Sequence, residues 1–403
     1  MKVPQGWRIL ELGELADMLT GFAFRSADYS ESNDQLTAIR LLRGDNIGQG
    51  VLRWNEPKLW PREQTAGLER YWLGEGDLVI AMDRTWVKAG LKIAITKASD
   101  LPCLLVQRVA RLRGNDRADS AFLGQVVASS KFVQYVKTVQ TETAIPHISA
   151  QQIRELRLLT PPLHEQRRIA EILGSWDRAI ETHQKLLTAK TTRLSTLRHQ
   201  LLTGAKRFPE FQKRGVWPRT RLEKAAEEMS VRNKGNVPDH KLFAVTKAEG
   251  LVPMKDRVKG ISTQRCMVVE QDWYAYNPMR INIGSIARHY SPEPVMVSPD
   301  YVVFRAKPAV LLPDYLDHLR RSQLWSEFVS NAGSGSVRVR IYFDALGLLS
   351  FPLPTIAEQT RITTFLNACQ REIDLLATQL EALKQQKRGM MQKLLTGEIR
   401  TNS

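Results

Sequence analysis

Pro161-Pro162-Leu163-His164-Glu165-Gln166-Arg167-Arg168-Ile169 and Pro354-Thr355-Ile356-Ala357-Glu358-Gln359-Thr360-Arg361-Ile362 stand 193 residues apart in one chain of 403. The register runs on without a gap through Ile180 and Ile373, Leu187 and Leu380, to Leu201-Leu202-Thr203-Gly204 and Leu394-Leu395-Thr396-Gly397. Agreement that long is an internal repeat. Running backwards, the same offset pairs Phe122-Leu123 with Tyr315-Leu316, Ser129 with Ser322, Phe132 with Trp325, Ile148 with Ile341 and Leu156 with Leu349. Upstream of about Arg108 the register drifts, although Trp7 and Leu12 still resemble Trp217 and Leu222 at an offset of 210. Two copies have kept a scaffold and lost their surface similarity. In the second copy Gln271-Asp272-Trp273-Tyr274-Ala275-Tyr276 is expected where the first has Gly76-Asp77-Leu78-Val79-Ile80-Ala81, with the strand retained and its surface changed.

Each copy ends in a helix with marked boundaries. Pro161-Pro162 and Pro354 stop what precedes, because proline lacks a donor and biases its predecessor away from helix, while Gly204 and Gly397 suit C-terminal caps. Largely apolar positions then step by four and three: Ile169, Leu173, Trp176, Ile180, His183, Leu187, Lys190, Leu194, Leu197 and Leu201. The second copy places Ile362, Leu366, Cys369, Ile373, Leu376, Leu380, Leu383, Lys387, Met390 and Leu394 at the same stations. This is a coiled-coil seam, and each helix is the available partner of the other. The span from Ile169 to Leu201 makes a rod of about 50 Å. Antiparallel pairing within the chain would set Lys387 opposite Trp176 and Lys190 opposite Ile373, the ammonium reaching water or the indole face.

Composition bounds the partners. Lysine and arginine total 58 against 42 aspartates and glutamates, a net charge of +16, which favours a polyanion such as nucleic acid. Cys103, Cys266 and Cys369 lack paired spacing, so neither a disulfide framework nor a cysteine metal site is expected and a reducing cytoplasm fits. The first ten residues lack a signal-peptide core and no run approaches a spanning helix, so neither export nor a membrane is expected. The seven histidines never pair at ligand spacing, and no metal site is proposed.

Several segments carry candidate chemistry. Asn277-Pro278 lacks the second proline of a base-holding methyltransferase loop, and no glycine-rich turn for S-adenosylmethionine is found, so a turn is expected and methyl transfer is rejected. Gly333-Ser334-Gly335-Ser336 lacks the Lys-Ser/Thr of a phosphate loop and is read as a flexible loop. It leads into Val337-Arg338-Val339-Arg340-Ile341, whose alternation would put Arg338 and Arg340 on one face beside Ser336, as either a solvated strand edge or a DNA contact. The matching first-copy segment supplies Thr143 and His147. Arg84, Trp86 and Lys88 after one strand, and Arg280, Asn282 and Arg288 after Tyr276, are further candidate DNA contacts, since loops at strand ends carry such readers. Arginine there can read guanine or clamp phosphate. No catalytic residue is assigned.

The doubled Pro/Glu-Gln/Ile strings resemble the signature of type I restriction-modification specificity subunits. So do both Leu-Leu-Thr-Gly endings, Gly21-Phe22-Ala23-Phe24-Arg25-Ser26 with Asp28-Tyr29, and Gly76 through Met82. The resemblance covers essentially the whole chain. It implies an α/β (α+β) fold: a recognition domain over 1–160, a spacer helix over 161–204, a second recognition domain over 205–352 and a second helix over 353–403. It also implies a non-catalytic cytoplasmic subunit for host defence, each domain reading half of a split duplex site while the helices set the unread gap. Two modification subunits and restriction subunits would be its partners, with S-adenosylmethionine, ATP and magnesium bound by them and not by this chain. The rival readings are a stand-alone DNA-binding protein and a basic coiled-coil scaffold without sequence preference.

Overall fold

The computed structural model describes residues 3–401 apart from 33, 35, 89, 141–145, 255–262 and 333–339. The candidates Thr143, Ser336 and Arg338 lie outside the described residues. Two compact units divide the chain: Met1–His183 with Gln379–Ser403, and Gln184–Thr378. Among the described residues no helix is long and apolar enough to cross a membrane.

In the first unit a four-stranded sheet runs in the order Ala16–Thr20, Val109–Gly114, Leu78–Ala81, Ile93–Ile95, all antiparallel. Leu78-Val79-Ile80-Ala81 is apolar throughout because both its faces are covered. Alternation divides the side chains. Leu78 and Ile80 join Phe122, Phe132 and Ile169 on the helical side, while Val79 and Ala81 join Leu42, Cys103 and Leu105 on the other. The second unit repeats the plan with Ala226–Met229, Val302–Ala306, Tyr274–Tyr276 and Ile286–Arg288. There Tyr274 and Tyr276 face Trp325 and Ile362, and Ala275 faces Val245 and Val297. Small helices follow in matching places; Ser129 and Ser322 cap theirs identically, each Oγ accepting from the backbone of Phe132 or Trp325 at 3.4 Å.

The backbone corrects the sequence register by one residue. The Gly76 N–H donates to the Thr96 carbonyl at 2.9 Å, and the Asp272 N–H donates to that of His289 at 2.8 Å. Asp272 therefore stands where Gly76 does, and both are left-handed, with φ of +67° and +83°. A glycine and an aspartate can each occupy such a turn, so identity was a poor guide there. The shift also makes Arg280 the counterpart of Arg84.

The two long helices cover Leu163–Thr203 and Ile356–Thr396, 41 residues each, and end on Gly204 and Gly397 at φ +77° and +72°. Within each unit they pair antiparallel. In the first, Ile169 and Leu173 share a core with Met391 and Leu394, and Lys387 Nζ meets Asp177 at 2.6 Å. In the second, Leu194 and Leu201 share one with Ile362, Leu366 and Ile373, and Lys190 Nζ meets Glu372 at 2.6 Å. Trp176, Ile180 and Leu187 are half-buried and Leu380 is buried. Each lysine thus sits one residue from its expected neighbour, and its ammonium takes a carboxylate instead of an indole face, as a direct ion pair outweighs a partly solvated cation–π contact.

Candidate nucleic-acid interface

The Glu-Gln signature is a buried joint that sets the sheet against the helix. Gln166 donates from Nε2 to the carbonyls of Arg117 and Pro161 at 3.0 and 2.9 Å and accepts from the Asp119 N–H at 3.0 Å. Gln359 does the same with Val310, Pro354 and Leu312, each at 2.9 Å. Glu165 accepts from Trp7 Nε1 at 2.9 Å and from Arg400 at 2.8 and 2.9 Å. Glu358 accepts from Trp217 Nε1 at 2.9 Å and from Arg207 at 2.8 Å twice. The tryptophan similarity at the chain's drifting end is thereby explained. The arginines went unread, although carrying the 193-residue offset past the two glycines pairs Arg207 with Arg400.

Away from that joint, each central sheet ends in a loop braced by a returning segment. In the first unit the N–H of Ile148 donates to the Met82 carbonyl at 2.9 Å, and that of Arg84 to the Pro146 carbonyl at 2.9 Å. Arg84 is left-handed at φ +46°, a conformation costing a non-glycine residue roughly 1–2 kcal/mol and held only by such bracing. Between these bonds Asp83 accepts from Arg108 and from His147 Nδ1. Burial would raise its carboxyl, but His147 and Arg108 outweigh that and hold it below the ordinary value. A cleft of about 310 Å³ opens here, lined by Tyr29, Arg43, Asp83, Arg84 and Arg108 among others.

The second unit builds the same frame with other side chains. The N–H of Ile341 donates to the Pro278 carbonyl at 3.0 Å, which brings Arg340 beside the loop carrying Arg280. Asn277 Oδ1 accepts from the Met279 N–H at 2.9 Å, so Asn277-Pro278 is a turn. The loop closes through Ile281–Ile283 and Gly284 at φ +93°. Arg280, Asn282 and Arg340 are exposed.

The type I restriction modification DNA specificity domain family matches residues 4–189. The chain is 35% identical over 198 residues to the type I restriction enzyme EcoAI specificity subunit of Escherichia coli, covering 48% of this chain and 32% of that one. It is 28% identical over 204 residues to the MjaVIII specificity subunit of Methanocaldococcus jannaschii, covering 50% and 47%. The match thus spans under half the length of either relative. The type I restriction-modification S subunit from M. genitalium has the same fold, with a TM-score of 0.60 at 13% identity over 98% of both chains.

Within the matched residues and their repeat, the structure joins candidates that are distant in sequence: Arg84 with His147, and Arg280 with Arg340. Others it commits elsewhere. The Arg288 guanidinium is 9% exposed and bonded to Asp272, Asp314 and Asp317, the last at 3.0 Å. These carboxylates reverse the opposing effect of burial and push it further above its ordinary value. Trp86 donates from Nε1 to Gln140 at 2.7 Å and stacks under Lys137, leaving Lys88 exposed on a hairpin. Asn282 and Arg288 border a second-unit cavity of about 850 Å³ with Lys247 and Arg321. Among the described residues no group of three His, Cys, Asp or Glu could hold a metal. Arg43 and Arg108 escaped the sequence reading because folding alone brings them to Arg84.

Proposed function

We propose that this chain is the DNA-reading specificity subunit of a type I restriction-modification enzyme acting in the cytoplasm. In this reading each unit reads one half of a bipartite duplex target, and the long helices set the unread gap and dock two modification subunits. Restriction subunits complete the assembly. The chain carries no catalytic step itself; S-adenosylmethionine, ATP and magnesium belong to those partners. One observation supports the reading above others: the same braced loop occurs in both units, each time presenting arginines toward solvent from a chain of net charge +16.

The test is binding by the full chain, co-expressed with modification subunits, to a pool of randomised duplexes across a salt series. Two half-sites separated by an indifferent gap should be enriched, and affinity should fall with salt at a logarithmic slope of about −0.9 per phosphate contact. Equal binding of all sequences, or a slope near zero, would refute it.

A further inference from the structure

We infer that Arg84 and Arg280 are the specificity-determining residues of their units, each reading a guanine edge in the major groove; this rests on the DNA-reading function proposed above. The two hold one station, two residues beyond the carbonyl that receives the returning segment, Met82 for Ile148 and Pro278 for Ile341. Other basic candidates are already committed. Arg108 and His147 are bonded to Asp83, Arg43 to Asp45, and Arg288 to three aspartates. Arg84 and Arg280 are exposed, and among the described residues no side-chain bond or ion pair occupies either guanidinium.

Their backbones, by contrast, are pinned. Arg84 is held by Pro146 at φ +46°, and Arg280 donates to the Asn277 carbonyl at 2.9 Å while its own carbonyl accepts from Ser285 at 3.0 Å. A fixed base under a planar, five-donor fork suits the two acceptors of guanine, O6 and N7. Adenine offers one acceptor and a donor at those places, so the fork rejects it. A phosphate contact, by contrast, would act alike at every base pair and carry no base preference. In the first unit Arg43 and Arg108 flank the same cleft with their charges already paired, which among the described residues leaves Arg84 as its unpaired guanidinium.

The experiment is selection from randomised duplexes by the full chain with its modification subunits, comparing wild type with Arg84→Ala, Arg84→Lys, Arg280→Ala and Arg280→Lys; thermal unfolding confirms that each variant folds. Arg84→Ala should lose the preference for guanine at one position of one half-site, by about 5- to 150-fold, with a smaller loss in Arg84→Lys, leaving the other half unchanged. The Arg280 variants should do so in the other half. A uniform affinity loss with the consensus intact, or half-sites without guanine, would overturn the assignment while leaving the specificity-subunit reading in place. Failure of the wild-type complex to enrich any half-site would overturn both.

Discussion

The Glu-Gln joint and the braced loops are built from the same repeat, yet they differ in what was held constant. At the joint, six hydrogen bonds recur in both units with donor–acceptor distances matching within 0.1 Å. In the loops the backbone frame and one arginine, Arg84 or Arg280, recur, while Asp83 and His147 give way to Met279 and Arg340. Burial explains the difference. A buried carboxylate or amide needs every partner, whereas a solvated side chain can be exchanged at little cost.

The largest effect should come from breaking the joint. Glu358→Ala leaves Arg207, only 13% exposed, and Trp217 without their acceptor, and should lower unfolding stability by about 3 kcal/mol in denaturant titration. Glu165→Ala should cost less, because Arg400 is 37% exposed and solvent screens it. Equal losses would break the argument from burial. Burial would raise the Glu165 carboxyl, but Arg400 and Trp7 overrule it and hold it below the ordinary value. Its contribution is therefore complete above the ordinary carboxylate range and fades as the pH falls toward the lowered value.

A second comparison sets His318 against its first-unit counterpart Gln125. Burial, joined by the charges of Arg198 and Arg321, pushes the His318 imidazole down to about 4 despite its bond to Asn367. The unfolded chain then takes up the proton first. Between roughly pH 6.5 and the folded value the second unit should lose stability as pH falls, by at most about 1.4 kcal/mol per pH unit. Hydrogen exchange across 313–331 and 120–139 at pH 7 and pH 5 should show the acid loosening in the second unit alone, and His318→Gln should abolish it. Loosening that persists in that variant would assign the effect to another group.

The smallest effect belongs to the seam lysines. Lys190→Leu and Lys387→Leu remove ion pairs whose carboxylates are half exposed, so unfolding stability should move by less than about 1 kcal/mol in either direction. A larger loss would mean that these pairs hold the helix register.

The repeat, the helix limits at Pro161 and Gly204, and the four-three seam were legible without coordinates, because helix periodicity and capping are written in residues a few places apart. The Trp7 and Trp217 similarity was visible too, but only the structure ties it to the joint. The rest needed closure of the chain. Arg400 meets Glu165 across 235 residues and Arg207 meets Glu358 across 151, so no local pattern marks either pair. Arg288, indistinguishable in sequence from a surface arginine, is enclosed by three aspartates that folding collects from two elements. Arg84 and His147 became neighbours only through strand pairing. The sequence by itself determined the repeat and its helices through local periodicity; the tertiary structure alone decided which charges are neutralised inside and which remain for a partner, because that depends on distances between segments remote along the chain.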